Sequence, residues 1–201
     1  NAIAAGFDGV ELHGANGYLI EQFLNTATNH RTDNYGGSVA NRNRFAIEVA
    51  QAVVAAIGAE KTAIRLSPYG VFNDIEIYEG IDEAFVELAT ALGKLKLAYV
   101  HIVDHSSQGA PAVPEESKKK LKEAFGGTFI YSGGLDKETA EKVLQEGRGD
   151  LVTFGRPFLA NPDLVERFKN NIELAQPDFD KLYTPGADGY TDYPAATATV
   201  A

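Results

Sequence analysis

His13, Asn16 and Tyr18 stand close together in HGANGY, separated only by Gly14, Ala15 and Gly17. An imidazole and a carboxamide can both hydrogen-bond a carbonyl oxygen, and a phenol can deliver a proton. The small residues between them let the chain turn tightly and let a bulky group approach. The same His-x-x-Asn spacing also serves a plain helix start, where polar side chains only satisfy nearby backbone. Arg65 lies inside the apolar run AIRLSP. A buried guanidinium there needs an anion or strong acceptors, and an Asp or Glu of a neighbouring loop is the alternative to a bound ligand. Gly133-Gly134 and Gly155-Arg156 each follow an apolar run. Backbone N–H groups free of side-chain bulk, beside a guanidinium, suit a phosphate dianion, although a lone Gly-Gly also reads as a turn. His101 and His105 do not make a metal pair: four residues apart on an extended strand they stand about 13 Å from each other. His105 and His30 read as loop residues, His30 with a structural role, and Lys118 to Lys120 reads as a solvated helix face.

These groups need elements to hold them, and the pattern supplies an alternation. Phe7, Val10 and Leu12 read as a short buried strand, followed after the polar cluster by a helix from Leu19. Asn25 to Ser38 reads as a long polar loop. Arg42 to Ile57 reads as a helix with Phe45, Val49, Val53 and Ile57 on its inner face and Gly58 at its end. Strands are expected at Lys61–Ser67, Leu97–Val103, Thr128–Ser132 and Asp150–Phe154, and helices at Ile81–Leu92 (closed by Gly93), Glu115–Phe125 and Asp136–Glu146. Asn161-Pro162-Asp163 opens a last helix with Pro at its first position. From Gln176 the chain is rich in Pro, Gly and Tyr and reads as a C-terminal extension, 176–201, fraying after Pro194. Five apolar strands alternating with helices mark a parallel α/β fold, and the candidate polar groups lie toward the C-terminal ends of strands, where such folds place chemistry. Periodicity leaves open whether the sheet is doubly wound or part of a barrel.

At 201 residues and 44% hydrophobic content the chain can bury one sizeable core. Its 28 acidic against 18 basic residues, net −10, argue against nucleic acid or an anionic membrane as main partner, since both need a basic face. There is no Cys, hence no disulfide and no thiolate metal site. No apolar run reaches membrane-spanning length and no signal-peptide pattern opens the chain, so a cytoplasmic site is expected.

HGANGYL, NHRTDNYGGS, NRNRF, IRLSPYGVF, TFGRPFLANPDL and GYTDYP, in that order, closely resemble the Old Yellow Enzyme family of flavin-dependent ene-reductases. The resemblance runs from about Ala4 to Pro194. It implies a (β/α)8 TIM barrel of which this chain supplies about strands four to eight, a half-barrel. It implies FMN as cofactor, NADPH or NADH as reductant, and an α,β-unsaturated carbonyl (enone) or nitro compound as substrate. In the family's pattern His13 and Asn16 match the pair that holds the substrate's oxygen, Tyr18 the proton donor, and Tyr183 a tyrosine closing over the pocket. Arg65 matches the arginine at the flavin's N1–C2=O edge, and Gly133, Gly134, Phe154, Gly155 and Arg156 match the cofactor-binding segments after strands seven and eight. Asn often fills the position of Gly134. Half a barrel leaves two strand edges and one sheet face, expected to be apolar, uncovered. The partner expected there is the N-terminal barrel half or a second copy of the chain. The alternative function is a non-catalytic half-barrel scaffold that dimerises or binds phosphate only.

Overall fold

The structure, a computed structural model, describes residues 1–196. The chain divides into two compact units, Asn1–Val152 and Thr153–Ala201. In the first, β1 (Val10–Gly14), α1 (Leu19–Leu24), α2 (Val39–Ile57), β2 (Thr62–Leu66), α3 (Ile81–Lys94), β3 (Tyr99–Val103), α4 (Glu115–Phe125), β4 (Thr128–Ser132) and α5 (Lys137–Gln145) follow one another, and β5 (Leu151–Thr153) ends on the first residue of the second. The strands form one sheet in the order β1-β2-β3-β4-β5, and β1 to β4 pair in parallel. Each crossover carries at least one helix, as parallel neighbours require.

Alternation along the strands sorts the residues onto two faces. Leu12, Ile64, Leu66, Val100, Ile102, Phe129 and Tyr131 pack against helix residues such as Phe85, Leu88, Leu92, Leu121, Phe125 and Val143 in one core. Glu11, His13, Arg65, Tyr99 and His101 alternate onto the other face. The uncovered face is therefore mixed rather than apolar, with Ala63, Val103 and Ile130 beside these charged and polar residues. In VELHG both positions on this side, Glu11 and His13, are polar, and in YVHIV Tyr99 and His101 are polar and Val103 is apolar.

Several local expectations are corrected. The first strand starts at Val10, and Phe7 ahead of it is 67% exposed. His13 thus lies within β1 and not beyond its end. The buried face of α2 runs through Arg42, Asn43, Ala46 and Ala50, while Phe45, Val49, Val53 and Ile57 are only partly buried. Alanines let a helix approach its neighbours closely, so the small residues take the core side. Gly93 does not end α3; a Cβ there would sit 2.2 Å from the Phe125 carbonyl oxygen, so Gly93 is where α3 meets the end of α4. Lys118 is 6% exposed and bonds Asp104 (2.8 Å), Glu115 (2.9 Å) and the Tyr131 hydroxyl (2.6 Å). Only Lys119 and Lys120 face solvent. Asp104, buried just past β3, demands a cation, and Lys118 supplies it. Although burial opposes it, the hydrogen bonds from Tyr131, Arg148 and Lys118 hold Glu115 down to about 2. Other expectations stand: α4 and β4 have the expected bounds, and Asp136 and Thr139 form a reciprocal cap on α5.

The second unit contains α6 (Arg156–Ala160) and α7 (Leu164–Asn170). Pro162 does not occupy the first position of a helix; it precedes Asp163, the residue that opens α7. The unit is pinned by Asn161, fully buried, which donates to the carbonyls of Pro157 and Ala175 and accepts from Ala175 N. Residues 197–201, the end of the expected frayed tail, lie outside the described residues.

Gly93→Ala tests the α3–α4 contact. Overpacking costs about 1–3 kcal/mol, and helix propensity returns about 1 kcal/mol. The clash is with backbone, which cannot rotate away, so urea unfolding is expected to show a net loss of stability.

Candidate functional site

The turn from β1 into α1 is fastened from below. Asn16 and Gly17 both adopt left-handed backbone, at φ 62° and 73°. A Cβ on Gly17 would lie 2.2 Å from the Phe72 carbonyl oxygen, so only glycine fits. Gly17 N donates to Glu21 Oε2 at 2.6 Å, and the Ser67 hydroxyl donates to the same carboxyl at 2.9 Å. Ser67 Oγ accepts from Asn16 N at 2.8 Å. From the opposite side Asn73 Nδ2 donates to Asn16 O, 2.8 Å, and Gln22 Nε2 to Gly17 O, 2.7 Å. Every backbone polar group of this tight turn that these bonds reach is thereby held in one geometry.

The turn presents His13, Asn16 and Tyr18. The His13 and Tyr18 rings lie 5.3 Å apart, and Tyr18 is 55% exposed. Register places Arg65 directly beside His13 on β2, and His101 beside Arg65 on β3. Burial, with the positive Arg65 nearby, pushes the His13 imidazole down, against a weaker opposing pull from Glu11. His13 is thus a neutral ring near neutral pH, with one N–H to donate. Arg65 is half-buried, and its guanidinium makes no ion pair or hydrogen bond within the described residues. Its nearest compensating charge is Glu11, which feels Arg65 only through space and is itself bonded to His101 Nδ1 at 3.0 Å. Burial works against Glu11, yet the His101 hydrogen bond and the positive neighbours hold it below its ordinary value. The loop carboxylate that could have satisfied Arg65 is absent among the described residues.

His105 is drawn into this group. It follows β3, is buried, and its Nε2 lies 2.7 Å from Asn16 Oδ1. Phe72 packs edge-on against its ring at 4.7 Å. From the sequence His105 reads as a loop residue, and Glu21 is not among the candidate residues. Both carried a signal: His105 sits at a strand's C-terminal end like the other candidates, and Glu21 lies on the apolar side of α1 with Ile20 and Leu24.

Gly133 and Gly134 follow β4 at φ 123° and 62°. A Cβ at Gly133 would meet the Asp104 carbonyl oxygen at 2.1 Å, and one at Gly134 would meet Ser107 Cβ at 2.9 Å. Close approach of the loop after β3 is thus one reason for both glycines. In the second unit the Phe154 ring packs on Phe168 at 5.1 Å. Gly155 opens α6, with clear space where a side chain would stand. Arg156 is exposed and makes no ion pair among the described residues. Tyr183 is 92% exposed. Among the described residues no group of three or more His, Cys, Asp or Glu could hold a metal ion, and no helix is long and apolar enough to cross a membrane.

A parallel α/β sheet with Arg65 unpaired among the described residues and His13, Asn16 and Tyr18 toward the strand ends places the polar groups where parallel α/β folds carry their binding sites. Comparison with known proteins makes this specific. Residues 1–175 match the NADH:flavin oxidoreductase / NADH oxidase family, and the chain belongs to it. It is 44% identical over 212 residues to 12-oxophytodienoate reductase 7 of Oryza sativa subsp. japonica, covering 96% of this chain and 53% of that protein. Against 12-oxophytodienoate reductase 2 of Arabidopsis thaliana it is 42% identical over 203 residues, covering 99% and 54%. Morphinone reductase superposes with a TM-score of 0.92 at 42% identity, over 96% of this chain and 52% of that one. Morphinone reductase has also been solved in complex with tetrahydroNAD, and that structure matches equally well in TM-score, 0.92. These are Old Yellow Enzyme relatives, and the fold class is the (β/α)8 barrel, of which the chain supplies about strands four to eight. The chain spans about half the length of the relatives it matches.

Burial raises the Glu21 carboxyl from 4.5 to about 7, against the hydrogen bonds from Gly17 and Ser67. A carboxyl raised in the folded state contributes its stability below its unfolded value and loses it as pH climbs through the folded one. The loss is on the order of 3 kcal/mol across that window. The groups facing Glu21 are Ser67, the Gly17 amide and Tyr78, with Arg42 behind Tyr78. Glu21→Gln keeps an acceptor for Gly17 N and removes the titration. Urea melts at acid, neutral and mildly alkaline pH are expected to show a flatter stability profile in the variant.

Proposed function

We propose that the chain carries the substrate-facing half of an FMN-dependent ene-reductase that uses NADPH or NADH to reduce the C=C bond of enones or nitroalkenes. The observation that carries this is Arg65: a half-buried cation without a carboxylate, in register beside His13. A cation without an ion pair among the described residues is suited to an electron-rich ring edge, and the family membership supplies the ring as FMN. The chemistry supplied by bound FMN is hydride transfer from the nicotinamide to the alkene β-carbon.

The protein's part follows from its residues. His13, as a neutral N–H donor, and the Asn16 amide hold the substrate's carbonyl or nitro oxygen and stabilise the negative charge that develops on it. The Tyr18 hydroxyl gives its proton to the α-carbon, and its exposure lets solvent return that proton afterwards. Arg65 would hold the cofactor's ring edge and Gly133 and Gly134 would take its phosphate. In the second unit Phe154, Gly155 and Arg156 are retained as cofactor residues and Tyr183 as a substrate-side residue. The polar face bearing Glu11, Tyr99 and His101 belongs to a closed barrel interior, completed by an N-terminal half or by a second copy of the chain.

Titrating FMN with the purified chain and following its fluorescence is the first test. Stoichiometric quenching that weakens in Arg65→Met is expected, and an absence of quenching overturns cofactor binding by this chain. In the loaded protein, Tyr18→Phe is expected to slow alkene reduction by about a hundredfold or more while leaving FMN reduction by NADPH unchanged. Equal slowing of both half-reactions removes Tyr18 as the acid.

A further inference from the structure

His105 has one contact that the proposed chemistry does not use, and it falls on a group that the chemistry needs. Its Nε2 lies 2.7 Å from Asn16 Oδ1 and its Nδ1 lies 3.4 Å from Gln108 Nε2. A carboxamide oxygen can only accept, so Nε2 must carry the proton. In a neutral imidazole Nδ1 then holds a lone pair, and the amide N–H of Gln108 is the donor that matches it. Both contacts require the same tautomer.

The consequence reaches Asn16. With its oxygen engaged by His105, the amide has only its two N–H donors left to turn elsewhere. An Asn held this way can bind a carbonyl or nitro oxygen. Turned about, it would present its own oxygen and repel that ligand. Carboxamide orientation is invisible to sterics, because the two ends are nearly the same size. Something must fix it by hydrogen bonding, and the Asn16 backbone is already fixed by Ser67 and Asn73.

We propose that His105 is a positioning residue, which donates from Nε2 to Asn16 Oδ1, with Gln108 setting the tautomer, and so presents the Asn16 amide nitrogen to the substrate's oxygen. This deepens, and rests on, the ene-reductase reading of the same site. The surroundings favour the neutral ring. Burial and the charge of Arg65 push His105 below its ordinary value, against the opposing pull of Asp104. The other groups facing it, Asn16, Phe72 and Gln108, are uncharged.

The test is the imidazole tautomer itself, read by long-range proton–nitrogen NMR correlation on the isotope-labelled chain at mildly alkaline pH. His105→Gln identifies the signal by its loss. The expected result is a single Nε2–H form, relaxing to a mixture of tautomers when Asn16→Ala and Gln108→Ala are combined. A dominant Nδ1–H form, or a mixture that the double variant leaves unchanged, overturns the proposal whether or not the chain is active. In FMN-loaded protein, His105→Phe is expected to raise the KM for cyclohexenone about tenfold with FMN reduction by NADPH unchanged. His105→Gln, whose amide can still donate to Asn16 Oδ1, is expected to recover most of that loss. An active chain whose KM ignores His105→Phe overturns the positioning role and leaves the ene-reductase reading standing. An inactive chain with the expected tautomer does the reverse.

Discussion

A strand in a parallel sheet must turn alternate residues to opposite faces, and in this chain that constraint separates apolar from charged groups. One face of β1 to β4 is spent on the helices, through Leu12, Ile64, Val100, Phe129 and their neighbours. The charged residues of the same strands, Glu11, Arg65 and the histidines His13 and His101, are forced onto the other side. Register then sets His13, Arg65 and His101 in one row. A slip of one residue in β2 would send Arg65 into the helix layer and Ile64 or Leu66 into the row. The core therefore specifies the site: the position of the cation is fixed by the burial of its neighbours along the strand.

Strands place side chains, but the loops beyond them need separate fastening, and two buried polar groups supply it. Glu21 gathers Gly17 N and the Ser67 hydroxyl under the turn that carries Asn16. Lys118 gathers Asp104, Glu115 and Tyr131 under the loop that carries His105. Each is a buried charge or near-charge whose partners are satisfied, and removing one partner would leave the rest uncompensated. The two fastened loops meet where His105 touches Asn16. The glycines of the sheet's end serve the same close packing, Gly17 against Phe72 and Gly133 against Asp104.

Much of the architecture was legible because it is written in local periods. The α4 and β4 bounds, the cap at Asp136 and the parallel order follow from alternation, helical spacing and capping residues. The inner face of α2 differs from the spacing of its large apolar residues because close helix packing selects Ala46 and Ala50. Lys118 departs from its run for a related reason: among three lysines, the buried one is decided by Asp104, distant in sequence. Of the site, His13, Asn16, Tyr18 and Arg65 could be picked out from residue type and spacing. His105 and Glu21 carry only weak local signals, a place at a strand's C-terminal end and a place on the apolar side of α1, and their partners are brought together by folding.

Arg65 ties these residues into one electrostatic unit. Its charge adds to burial in lowering both His13 and His105, although one lies on the neighbouring strand and the other beyond the end of β3. Neutral imidazoles are what a donor row needs: a protonated ring would place a second positive charge beside Arg65, in a partly buried setting where like charges repel strongly. Glu11 offsets part of the field but is itself bound to His101. It therefore tempers Arg65 without neutralising it. Among the described residues the cation has no ion pair, while burial first and Arg65 second favour the uncharged form of His13 and His105. Burial and the one guanidinium in the row thus act in the same direction on both imidazoles.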